Sequence, residues 1–188
     1  MSVDIHPYAL KWKPFLTANE NADDTLQLFM RLANNDEAEL RPASFREPFR
    51  LAEDAAELYE GVRGTLPDRE REKWDQFLYA SWWEPEEQVV SESPLLKSLP
   101  RHSISLKGPL SDCLIRTLAP ETVKHVASVW RSINQDVLLH ALRDQYDEEV
   151  LHNHNYKSAE AACEYLASWG EAFLLAAKDG YGLVVQIS

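Results

Sequence analysis

Apolar Val3 and Ile5 alternate with polar Asp4 and His6 in "SVDIHPYAL", so the chain opens on a predicted strand that bends at Pro7. The period then becomes helical: Leu26, Phe29, Met30 and Ala33 recur at helix spacing over residues 23–33. In "FREPFRLAEDAAELYEGVRG", Pro48 suits the first turn of a second helix. Leu51, Ala55, Leu58 and Val62 form its buried stripe, and Gly61 and Gly64 close it. Pro67 and Asp68 open a third helix with Trp74, Phe77, Leu78, Ser81 and Trp82 on one face. Residues 84–103 hold three prolines and keep no period, which predicts a long surface loop. "SISLKG" reads as a short strand after it.

The second half is more regular. "PLSDCLIRTL" predicts a short helix from Pro109, and "PETVKHVASVWRSI" another that begins at Pro120, with Val123, Val126, Ala127 and Trp130 inward. Asn134 is placed to cap a helix running on to His152, with Leu138, Leu142 and Tyr146 facing the core. Ser158 caps a last helix reaching about Lys178, striped by Ala162, Leu166, Trp169, Phe173 and Ala176, and Gly180 stops it. The closing run Leu183, Val184, Val185 and Ile187 needs a partner for its backbone, and the first strand is the natural one. The expected fold class is therefore α+β and predominantly helical. Six or seven helices pack on a small sheet formed by the N- and C-terminal strands, in a single globular domain spanning 1–188.

Composition fits a globular chain of 188 residues, 45% hydrophobic and 27% charged. No stretch approaches the roughly 18 apolar residues of a membrane span. The opening residues lack a basic region followed by an apolar run, so a cytoplasmic protein without membrane association is expected. Cys113 and Cys163 sit in apolar patterns without a C-x-x-C and are expected to be buried, reduced thiols. The six glycines form no Walker or Rossmann run, and no cofactor is implied.

Charge changes the picture more. The net charge is −12, and residues 1–94 carry 20 acidic against 10 basic side chains while residues 95–188 carry 11 against 9. Such a field repels nucleic acid and attracts a basic protein. The most concentrated acidic stretches are "EDAAELYE", with Glu53, Glu57 and Glu60 on the outer side of a helix, and "SWWEPEE", with Glu84, Glu86 and Glu87 beside Trp83. Aromatic residues beside carboxylates suit a protein interface, and also a cation or sugar.

"DEEVLHNHNYKS" offers a different chemistry. On one continuous helix, Asp144, Glu148 and His152 fall at i, i+4 and i+8, where carboxylates and imidazole can hold a divalent cation. The segment supplies three ligands in a line at most, and no second Glu-x-x-His helix completes the set. Ordinary helix termination explains the same residues: histidines suit the negative end of a helix, and Asn153 or Asn155 suits a left-handed stop.

Several segments together resemble the YfbM-like proteins, a bacterial family of unknown function. They are "EKWDQFLYASW" (72–82), "LAPETVKHVASVW" (118–130), "LRDQYDEEVLHNHNY" (142–156), "FLLAAKDGYGLVVQI" (173–187) and the opening "MSVDIHPYAL". The chain departs from that pattern at Ala119, where a capping Thr or Ser is expected, and in lacking a proline after Tyr156. The resemblance implies a mixed fold with a small sheet and many helices, and carries over no catalytic residue.

Two readings of function follow. The first is a non-catalytic acidic module that binds a basic protein, as an immunity or inhibitor protein occludes a basic toxin or enzyme. Glu53, Glu57, Glu84, Glu86 and Glu87 would form its surface and Trp83 its anchor. The second is a metal-dependent enzyme or small-ligand protein built on Asp144, Glu148 and His152.

Overall fold

The computed structural model describes residues 4–21, 31, 34, 40–41, 51–81 and 114–187. Among them are four strands and seven α-helices. The helix expected over 23–33 (apart from Arg31, which is helical), the loop over 84–103 and the strand at "SISLKG" lie outside these residues.

The two ends of the chain form the middle of the sheet. Strand β1 (Asp4–Leu10) pairs antiparallel with β4 (Gly182–Ile187) from Ile5↔Ile187 to Leu10↔Gly182. Strands β2 (Leu51–Ala52) and β3 (Leu114–Leu118) add to either side, giving the order β2-β1-β4-β3. Pro7 sits inside β1 opposite Val185. It is tolerated because β2 pairs only with Asp4 and Ile5, so the other edge of β1 carries no described ladder at Pro7.

In the sheet, two assignments differ from the sequence expectation. Residues 114–118, expected in a helix from Pro109, are strand β3, registered on β4 from Leu114↔Ile187 to Leu118↔Leu183. The β4 edge offers a full row of backbone partners, and that outweighs the weak helix preference of "LIRTL". The helix expected from Pro48 starts instead at Glu53, as α2 (Glu53–Val62), because Leu51 and Ala52 pair with β1. Helix α1 (Trp12–Asn21) was not legible. Pro14 hides it, yet a proline in the first turn removes no helical hydrogen bond.

The sheet is buried on both faces, which explains why the β4 run is continuously apolar. Ala9, Leu183 and Val185 join the main core, while Tyr8, Leu10 and Val184 pack with Phe15 and Leu40 on the other side. The main core is built on α3 (Asp68–Ser81), α4 (Pro120–Ser132), α5 (Gln135–Gln145) and α7 (Ala159–Lys178). Trp74, Phe77 and Trp130 interlock with ring centroids 4.8–5.9 Å apart, and Phe77 meets Phe173 edge-on at 6.4 Å. The Trp169 indole N–H donates to the buried Ser81 hydroxyl at 2.8 Å, so that ring is buried without losing its hydrogen bond. Cys163 is half-buried rather than buried, and burial pushes its thiol up to about 12, away from the thiolate form; Cys113 lies outside the described residues.

Caps set the helix boundaries. Asn134 accepts from the Asp136 N–H at 3.2 Å, and Ser158 accepts from Ala161 at 3.3 Å, both as the sequence indicates. Ala119 precedes α4 with no side-chain cap. Within α7, the Ser158 hydroxyl and then Arg143 hold Glu160 down to about 2. A depressed folded-state carboxylate stabilises above its ordinary range, and that contribution disappears as pH falls toward 2. Glu160→Gln is therefore expected to lower Tm relative to wild type at neutral pH, with the gap closing near pH 2. A gap independent of pH, followed by thermal melts, would reject the linkage.

Candidate functional site

The continuous helix expected from Asn134 to His152 is broken. Helix α5 ends at Gln145, Tyr146 is extended (φ −119°, ψ 130°), and α6 (Glu148–Asn153) begins after a new cap. The Asp147 carboxylate accepts from the Val150 N–H at 2.9 Å and starts α6. Asp144 thus lies on one helix and Glu148 and His152 on the next, all three exposed, so the i, i+4, i+8 line does not exist. Among the described residues no group of three or more His, Cys, Asp or Glu side chains is arranged to hold a metal ion.

"HNHN" is a helix stop. Asn155 takes the left-handed conformation at φ 63°, its N–H bonds the His152 carbonyl at 3.0 Å, and the Tyr156 N–H bonds the Leu151 carbonyl at 2.9 Å. This is a complete Schellman termination, and buried Leu151 and Tyr156 supply the apolar pair that accompanies it. A β-carbon at a left-handed position costs roughly 1–2 kcal/mol, and Asn escapes part of that. Asn155→Ala is expected to lose about 1 kcal/mol in urea denaturation, whereas Asn155→Gly is expected to be neutral or slightly stabilising.

The break has a consequence for the acidic residues. Tyr146, at the α5–α6 junction, lays its hydroxyl 3.5 Å from the Leu58 carbonyl on α2. Gly61 makes room for it: a β-carbon there would stand 1.7 Å from the Tyr146 oxygen. At the far end of α6, His154 Nδ1 lies 3.8 Å from Glu57 Oε2. The junction is thereby seated on α2. Asp144, Asp147, Glu148 and Glu149 on the junction, and Glu57 and Glu60 on α2, are all exposed.

Behind this surface α2 is clasped to α3 by a polar network. Asp75, buried beside Trp74, accepts from the Tyr59 hydroxyl at 2.6 Å and from Arg63 Nε and Nη2, both at 2.8 Å. The Tyr79 hydroxyl donates to Glu60 Oε1 at 2.6 Å. Burial, and then the Asp75 carboxylate, push the Tyr59 phenol well above its ordinary range. Burial and the Glu60 hydrogen bond do the same for Tyr79, so both phenols stay protonated donors. The Asp75 hydrogen bond raises Arg63, which stays cationic. Two arginines in these elements are also committed internally, Arg63 to Asp75 and Arg143 to Glu160.

Glu53 and Glu57, expected on the outer side of a helix, lie in α2, and Glu57 is exposed there. Glu53 opens α2. Trp83, Glu84, Glu86 and Glu87 lie outside the described residues. Asp75, Tyr59, Arg63 and Tyr79 were missed. Their signal was Asp75 itself, a carboxylate on the apolar face of "EKWDQF", with Tyr59 and Arg63 four residues apart in the preceding segment to meet it, Tyr59 in α2 and Arg63 in the 3-10 turn (Arg63–Thr65) that follows it.

No family model and no curated protein matches the chain. Among solved structures it is similar to YfbM from Escherichia coli, a protein of unknown function, over 100% of both chains, at 14% identity and a TM-score of 0.44.

Proposed function

We propose that this chain is a non-catalytic, acidic binding module whose partner is a basic protein, such as a toxin or enzyme whose basic site it occludes. The observation that carries this reading is the seating of the α5–α6 junction on α2 through Tyr146 and Gly61. It joins two acidic segments remote in sequence, since Tyr146 meets Leu58 and Gly61 and His154 meets Glu57, and each segment carries exposed carboxylates. The Tyr59–Asp75–Arg63 clasp holds α2 in place, and Tyr79 fixes the orientation of Glu60. Binding therefore orders few side chains, which favours affinity. The net charge of −12 adds long-range steering of a basic partner. Trp83, Glu84, Glu86 and Glu87, which follow α3 in the sequence and lie outside the described residues, are proposed on charge and aromatic character alone as further partner contacts.

The test compares capture from native lysate by tagged wild type and by Glu57→Lys/Glu149→Lys, followed by association kinetics with the captured protein. A basic partner that loses at least tenfold in affinity, mainly through a slower and less salt-sensitive on-rate, is the expected result. An unchanged Tm in the variant shows that the fold is intact. A partner bound equally by both proteins would place the interface elsewhere. Reversal at Glu84, Glu86 and Glu87 then reports whether the segment after α3 takes part.

A further inference from the structure

We draw no further inference here: the strongest candidate, the outer face of α2 where Tyr79 orients the exposed Glu60 carboxylate beside Glu57, belongs to the acidic surface already described.

Discussion

Asp75→Ala is expected to destabilise the fold by about 3–5 kcal/mol, the loss typical of removing one partner from a buried ion pair. The carboxylate is buried and receives three hydrogen bonds. Without it, the Tyr59 hydroxyl and the largely buried Arg63 guanidinium keep their desolvation cost and lose their acceptor. Tyr59→Phe should cost less, about 1–2 kcal/mol, because Arg63 still satisfies Asp75. Glu57→Gln, at an exposed position, should stay within about 0.5 kcal/mol. Urea denaturation at neutral pH measures all three. An Asp75→Ala loss no larger than that of Tyr59→Phe would mean that the clasp contributes little to holding α2 on α3. Under the proposed function, Asp75→Ala should also weaken partner capture, since Glu57 and Glu60 ride on the helix it positions.

Gly170→Ala is expected to cost about 2 kcal/mol, although alanine is the better helix former. A β-carbon at Gly170 would stand 2.1 Å from Trp130 Cε2 and 2.2 Å from Cδ2. Those are the fused atoms of the indole, not the tip of a flexible chain. Trp130 cannot withdraw easily, since Trp74 and Phe77 pack against it with centroids 5.9 and 4.8 Å away. Overpacking of this kind costs about 1–3 kcal/mol, here at the upper end, against a propensity gain of about 1 kcal/mol. The check is a double-mutant cycle with Trp130→Leu. The smaller side chain opens space at α4, so the combined variant should be less destabilised than the sum of the two single changes. Strict additivity would mean that the close approach of α4 and α7 at this point is not what limits residue 170.

Local rules were legible where they act within a few residues. The stripes of α4 and α7 were read residue by residue, because Val123, Val126, Ala127 and Trp130, and Ala162, Leu166, Trp169, Phe173 and Ala176, follow the helix period and are all buried. Asn134, Ser158 and Gly180 marked their helix ends, since capping depends on one side chain or one backbone angle. The pairing of the two terminal strands was also readable, because an apolar strand at the chain end needs a partner.

Tertiary structure decided the rest. Residues 114–118 became a strand because the edge of β4 was there to receive them, and Leu51–Ala52 left the helix pattern for the edge of β1. Nothing in a window of ten residues reports a backbone edge supplied from elsewhere in the chain. The helix break at Tyr146 is of the same kind. The sequence allowed one helix to His152, but Asp147 offered a second cap and the surface of α2 at Gly61 accepted the Tyr146 ring. That choice put Asp144 on a different helix from Glu148 and His152 and set Tyr146 and His154 against α2. The Asp75 clasp likewise joins residues 12 to 16 positions apart on different helices. Composition and periodicity determined which residues would be apolar, capped or charged; only packing determined which of them would meet, because the free energy of a buried contact belongs to both partners.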